Sequence, residues 1–521
     1  MFKTNKYFVK NKGFRKFSSE VKHPSNRATE WQNAKPLSEM PTLKPLKLLW
    51  NLLPGGVYSK LDTFQLMLAV KRDIGSICWL RGAFGNPDFV MTHNPQDFEK
   101  AFRNEGPTPM RPGFEYLSYY RNVVKPDIFQ GVEGLLGSQG EKWAKFRSVV
   151  NPVMLQPRNI CLYLHSLSDV NKEFIERIQQ IRNPRTQEVP ATFVEEIHRW
   201  AVESVGVIAL DHRLDMLSRK QRDATAERLI ESIMTFFECA GELEFKPTIW
   251  KYYKTPTFKK LIKSLDGITT ITKIFIDQAV EEIKKECKTP GVENANHKTS
   301  VLKQLIKIDK NIAMVMAMDM FLAGVDTTTT LFAGILLCLA KNPEKQEKLR
   351  NEIFQLLPQK DSELRENHLN CMPYLRACLK ESLRLHPLAV GNARAQANNV
   401  VLSGYRVPKG SLVSMIHASI VRDAKYYPQP DAFLPERWLR QPRSENNVLK
   451  SKAPFQYLPF GFGPRSCIGR RISQLELELV IVRLIRNFRV EFIYSTEKAF
   501  RGAFISVPNI PLRFKFIDIE E

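Results

Sequence analysis

Phe460-Gly461-Phe462-Gly463-Pro464-Arg465-Ser466-Cys467-Ile468-Gly469 packs three glycines, a proline and one cysteine into ten residues near the C-terminus. The run that follows, 470–487, repeats apolar residues at helical spacing, so the cysteine stands at the mouth of a predicted helix. There the helix dipole and unpaired backbone N–H groups favour a thiolate. The glycines let the backbone approach something flat and bulky, and adopt φ > 0 without a Cβ clash. Taken alone, a single cysteine in a tight turn is more often small core filler than a ligand. The whole arrangement, with Phe460, Arg465 and Gly469 placed around Cys467, is what singles it out.

Outward from this loop, 521 residues with 43% apolar side chains can bury a sizeable core. The eight cysteines show no CxxC spacing, which argues against a disulfide scaffold and against structural zinc. A formal charge of +22 suits an acidic protein partner, an anionic membrane surface or nucleic acid. The basic residues are dispersed and no recognition motif occurs, so no nucleic acid partner is expected. Residues 1–19 hold six basic side chains and no acidic one, a composition that suits a mitochondrial transit peptide or, failing that, a disordered basic tail. No N-terminal run reaches the ~20 apolar residues of a membrane anchor. Residues 20–60, with Lys35-Pro36, Lys44-Pro45 and Pro54-Gly55-Gly56, read as a Pro/Lys-rich linker, which leaves 61–521 as one domain.

Within that domain the pattern predicts a helix near 61–73, strands at 76–81 and 88–92, and a helix opened by Asn94-Pro95. Residues 105–140 read as loop, and 141–385 as helix almost without break. An irregular stretch at 241–256 mixes Phe245, Trp250, Tyr252 and Tyr253 with Lys246, Lys251 and Lys254. That mixture suits a membrane interface and an ordinary solvated loop equally well. Short strands follow Pro387, at 400–402, 405–407 and 412–416. The fold class is therefore mainly α with small β-sheets (α+β): a helical body with a smaller β-rich lobe. Residues 311–341 are apolar on nearly every face and predict a buried central helix, since Asp319 and Asp326 interrupt any membrane span. Gly324 and the Thr327–Thr330 run are poor choices for a helix that needs only to be stable, a mid-helix glycine costing about 1 kcal/mol. They predict a local opening there.

Phe-x-x-Gly-x-Arg-x-Cys-x-Gly, as it stands at 460–469, resembles the signature of the cytochrome P450 family. The resemblance runs from about residue 40 to the end. It implies the P450 fold and haem b, with Cys467 as axial iron ligand and Phe460 and Gly469 against the ring. Ala323-Gly324-Val325-Asp326-Thr327-Thr328 resembles the family's oxygen-activation motif. That match implies that Ala323 and Gly324 border the haem while Asp326 and Thr327 organise proton delivery to dioxygen. Trp143-Ala144-Lys145-Phe146-Arg147 is similar to the family's WxxxR, so Trp143 and Arg147, with Arg465 and Arg394, are implied to hold the haem propionates. Ala393 stands where the family pattern has glycine. An isolated Glu-x-x-Arg is usually an exposed pair of little consequence. Here 380–384 is followed by 433–438, and together they resemble the family's Glu–Arg–Arg network, Glu381, Arg384 and Arg437, with Trp438 where phenylalanine is commoner.

The stretch 372–381 resembles the mitochondrial clan, and 404–410 and 435–438 are most similar to its insect members. Arg376 and Lys380, at i and i+4 on one helix face, are thereby implied to bind an acidic [2Fe–2S] ferredoxin that is served by its reductase. Arg470 and Arg471 extend this basic side. The implied protein is a monomer on the matrix side of the inner mitochondrial membrane, in peripheral contact with it. The implied activity is a haem-thiolate monooxygenase that uses O2 and ferredoxin electrons to hydroxylate lipophilic substrates, xenobiotics and insecticides foremost. An ecdysteroid-type steroid hydroxylase is the alternative. An electron-independent haem-thiolate isomerase and a haem-binding carrier or sensor without turnover are weaker alternatives. The family places the substrate pocket around 114–132, Met320, Ala323, 388–390 and 504–505.

Overall fold

The computed structural model describes residues 24–82, 88–217, 224–245, 249–288, 299–439, 455–503 and 505–519. The expected transit peptide, Lys246, the Phe245 side chain and Phe504 lie outside the described residues.

From the N-terminus the chain forms helix α1 (Pro24–Asn33), strand β1 (Thr42–Leu43), α2 (Pro45–Leu52), α3 (Thr63–Ile74), β2 (Ile77–Leu80), β3 (Phe89–Thr92) and α4 (Pro95–Arg103). Short helices α5 (Glu115–Tyr119) and α6 (Pro126–Phe129), joined by a π-turn, lead into α7 (Gly140–Met154) and α8 (Pro157–Cys161). The helical body continues with α9 (Leu164–Ile181), α10 (Phe193–Ala209), α11 (Ala224–Phe245), α12 (Pro256–Lys288) and α13 (Val301–Ile308). It is completed by α14 (Lys310–Lys341), α15 (Pro343–Leu356), α16 (Glu366–Asn370) and α17 (Pro373–Leu385). Strands β4 (Asn392–Ala395), β5 (Val400–Leu402), β6 (Tyr405–Val407) and β7 (Leu412–Met415) follow, then α18 (Arg470–Asn487). Last come β8 (Phe488–Glu491), β9 (Phe500–Gly502), β10 (Ser506–Pro508) and β11 (Lys515–Asp518).

Local chemistry sets many of these starts. Proline opens α1, α2, α4, α6, α8, α12, α15 and α17, where its fixed φ fits and its missing N–H is not needed. Asp62 and Gln65 close a capping box on α3. Asp309 accepts the Asn311 and Ile312 N–H groups at the head of α14. The expected linker is corrected by the same logic. From Pro24 onward it is structured, because Pro24 and Pro45 start helices and Thr42 and Leu43 pair in parallel with Trp79 and Leu80. Residues that read as linker punctuation are helix openers.

The main sheet has the order β1-β2-β3-β7-β4, with β3 and β7 parallel and Val90 opposite Val413. β5 and β6 form a hairpin whose turn places Ser403 and Gly404 at positive φ. α14 packs against α10, α12, α17 and α18. It is long and apolar enough to cross a membrane, but most of it is buried in protein, as the interrupted apolar run predicted. It stays helical through 323–327, so the expected opening is not a break in the helix.

Candidate active site

The Cys467 loop, α7, α14, α18 and the segment after α17 enclose a cavity of roughly 350 Å³. Gly461 and Gly463 turn the loop at φ +70° and +77°, and a Cβ on Gly463 would collide with the Glu105 carboxylate. The Phe460 carbonyl accepts the Cys467 N–H at 2.9 Å and closes the turn. Cys467 faces the cavity and lines it together with Phe460, Gly469, Ala323, Gly324 and Thr327. Burial pushes its thiol up, while the Gly469 N–H and the cations of Arg147, Arg470 and Arg111 pull it down. Thr327 turns its hydroxyl back onto the Ala323 carbonyl at 2.6 Å. The missing side chain of Gly324 has a packing reason: a Cβ would stand 3.0 Å from Val205 of α10.

Three arginines crowd one side. Arg147 donates to Ser466 O at 3.0 Å, and Arg465 to Ser138 O at 2.6 Å and Gln139 Oε1 at 3.1 Å. Arg465 lies 4.5 Å over the Trp143 ring. Buried Nε of Arg147 and Nε and Nη1 of Arg465 find no hydrogen-bond partner among the described residues. Burial lowers all three guanidiniums; repulsion from Arg111 and Arg394 helps bring Arg465 to about 9, and repulsion from Arg394 helps bring Arg111 to about 10. Arg111 was missed by sequence reading. Its only signal is a basic residue in the fixed Pro112-Gly113 corner. Arg394 does not line the cavity. Its Nε is held by Glu105 Oε2 at 2.5 Å, an ion pair that engages the guanidinium expected to hold a propionate.

Asp326 is likewise not on the cavity wall. Its Oδ1 lies 2.9 Å from His198 Nε2 of α10, buried between the two helices. The carboxylates that do line the wall are Asp319 and Glu476. Asp319 is paired, accepting from Arg121 Nη2 at 2.7 Å and from the Leu135 N–H at 2.6 Å. Burial pushes Glu476 up to about 8, so it is a neutral acid below that pH. The rest of the wall is largely apolar: Leu135, Leu136, Met154, Met316, Met320 and Leu388. Residues 114–132 and Ile505, expected to contribute, do not reach it, whereas Met320, Ala323 and Leu388 do.

Beneath this cavity the expected network closes fully. Glu381 takes Arg384 at 2.8 and 3.0 Å, Arg437 Nε at 2.9 Å and the Leu434 N–H at 3.0 Å. Trp438 is a working member, its indole N–H donating to Glu381 Oε2 at 2.8 Å. Its ring meets Tyr457 at 4.6 Å, and the Tyr457 hydroxyl donates to Lys380 O, so the network grips the chain just before the cysteine loop. On the outer face of α17, Arg376 is half-exposed and shares Glu478 at 3.4 Å. The Lys380 side chain reaches solvent, and partial desolvation of its ammonium with the repulsion of Arg376 and Arg470 lowers it. These cations therefore converge.

Between α11 and α12 the expected aromatic cluster divides. Trp250 is buried and stacks on Phe258 at 4.9 Å, whereas Tyr252 and Tyr253 stand out with 93% and 62% of their surface exposed. Leu46, Trp50 and Val57 are also strongly exposed.

The family model for Cytochrome P450 matches residues 40–516. Cytochrome P450 CYP12A2 of Musca domestica is 61% identical over 499 residues, 95% of this chain and 93% of that one. Cytochrome P450 12b1, mitochondrial, of Drosophila acanthoptera is 38% identical over 490 residues, 93% and 91% of the two chains. A thiol presented by a glycine turn, a threonine on a buried helix and unpaired arginines share one cavity, and a family match spans nearly the whole sequence. The chain belongs to the cytochrome P450 family of haem-dependent monooxygenases.

Proposed function

We propose that the protein is a mitochondrial monooxygenase that hydroxylates lipophilic compounds, xenobiotics including insecticides foremost, with electrons from an acidic [2Fe–2S] ferredoxin. The observation that carries this reading is the cavity itself: Cys467 and Thr327 on one apolar wall that includes Met154, Met316 and Met320. Methionine is flexible and polarizable, so such a wall refits to ligands of different outline. That property favours foreign compounds over one dedicated steroid.

The donor set fits haem b. Its two carboxylates match the buried, partnerless nitrogens of Arg147 and Arg465, with Arg111 beside them, and its iron matches the Cys467 thiol. When bound, the haem supplies activation of dioxygen, favoured by thiolate donation. The chain does the rest. Trp143 under Arg465 holds that guanidinium in place. The apolar wall excludes water and binds substrate by burial. The Thr327 hydroxyl holds a proton at the cavity surface. Asp326 acts from behind the helix, where its hydrogen bond to His198 ties α14 to α10. Lys380, Arg376, Arg470 and Arg471 receive the electron donor, and Tyr252, Tyr253 and the apolar side chains of 46–57 rest on the membrane.

Ferric-state absorption titration of the purified holoprotein tests this, with lipophilic xenobiotics in one series and ecdysteroid precursors in another. Spin-state shifts with many unrelated xenobiotics, followed by oxygenated product only when reduced ferredoxin is supplied, are expected. A tight shift with one steroid alone reassigns the protein to hormone synthesis. Turnover of a peroxide without electrons makes it an isomerase, and binding without any product makes it a carrier.

A further inference from the structure

A second cavity, roughly 640 Å³, opens between α3, the segment 385–390 and the β9–β10 hairpin. Its inner wall is apolar, built by Phe64, Leu68, Val390 and Phe500. His386 lies tilted against Phe500 at 4.7 Å and is kept neutral by burial, so it adds no charge. The mouth is different. Lys60, Lys498 and Arg501 line it, are exposed, and have no carboxylate partner among the described residues. Of the carboxylates in the lining, Asp62 is already engaged by the Gln65 and Gly502 N–H groups, which leaves Glu497. Arg422 is engaged by the Leu385 carbonyl and Asp431.

Cations gathered at the mouth of an apolar groove recognise an amphiphile with an anionic head, because a soluble anion would leave the walls unused. The surroundings say where that amphiphile comes from. Leu68 is both a groove residue and 48% exposed, and Leu52, Leu53 and Val57 just before it expose apolar side chains too. Val57 stands three residues before Lys60 of the groove mouth, so the chain runs directly from the apolar segment assigned above to the membrane into the groove. We propose that it binds an acidic phospholipid, its phosphate on Lys60, Lys498 and Arg501 and an acyl chain along Phe64, Leu68, Val390 and Phe500. This rests on the membrane reading, and goes beyond it by naming a lipid and a site. The site shares a wall with the active cavity: Val390 faces the lipid groove, while Leu388 and Ala389 of the same short segment line the cavity beside Cys467.

Flotation of the full-length holoprotein tests the proposal, with vesicles of phosphatidylcholine alone and of phosphatidylcholine mixed with phosphatidylglycerol. Wild type should favour the acidic vesicles. Lys60→Glu, Lys498→Glu and Arg501→Glu together should reduce that preference about tenfold or more, the scale of losing basic residues at an anionic surface. An unchanged haem spectrum certifies the fold of the triple variant. Lys145→Glu, Lys172→Glu and Lys307→Glu, equal in charge and exposed elsewhere, should change the preference less than about twofold. Equal losses in the two triples would reduce the effect to net charge and overturn the proposal. Wild type binding both vesicles equally would overturn the groove alone, whereas binding neither would overturn the membrane reading itself. A phosphatidylglycerol with a photoreactive acyl chain should label peptides containing 64–68 or 499–502. Labelling confined to other peptides would also overturn it.

Discussion

At Gly134 the backbone holds φ +81°, and a Cβ would fall 2.5 Å from both Arg121 Nη1 and Asp319 Oδ2. Gly134→Ala therefore strains the turn and parts a buried ion pair, and should cost about 3 kcal/mol or more in denaturant unfolding. A loss below about 1 kcal/mol would show that the pair gives way. Thr327→Ala should leave stability nearly unchanged but lower product per electron by about tenfold, with peroxide rising in its place. Coupling equal to wild type would remove the hydroxyl from the proton path. Motif and geometry agree on Cys467, Thr327, Trp143, Arg147 and Arg465, since each sits where local sequence fixes a turn or a helix face. They part at Asp326, because successive helix residues point about 100° apart and a motif does not say which face meets the cavity. Arg394 and Arg111 exchange places for a similar reason. Glu105 decides between them, and it is remote from Arg394 in sequence.

α17 has two contrasting faces. Glu381 and Arg384 are fully buried and tie it to Arg437 and Trp438, while Arg376 and Lys380 face out. Both were legible, because Glu381 to Arg384 is one turn and Arg376 to Lys380 is another. Lys380→Glu should weaken ferredoxin-supported turnover on the order of tenfold at low salt, and by less as salt rises. Ligand-induced spectral shifts should be unchanged, because the residue never meets the cavity. A loss that ignores salt would place Lys380 elsewhere in function. The element least legible was the stretch 24–60. Its pairing partner for β1 lies in β2, beyond the reach of a local pattern.

Across the whole molecule, buried neutral histidines set an acid limit. Burial lowers His93 from 6.5 to about 4 and His386 to about 3. Both protonate on unfolding once the pH falls below about 6.5, so the unfolded chain binds the extra protons and stability declines from there toward pH 4. Denaturant midpoints should fall steadily from pH 7 to pH 5, and His93→Gln should flatten that slope. A midpoint independent of pH in this window would mean that the two histidines take up protons as readily in the fold as in the unfolded chain. Carboxylates and a net charge of +22 act in the same direction at lower pH.

The crowding of Arg111, Arg147 and Arg465 has a consequence for how the protein is made. Without an anion among them, three like charges lie close together in a low-dielectric interior, and they come from the loop after α4, from α7 and from the turn before α18. A dianionic haem seated among them would offset that crowding. Ligand binding to the folded state alone stabilises it by mass action, so a generous haem supply should raise the fraction of this chain that stays folded.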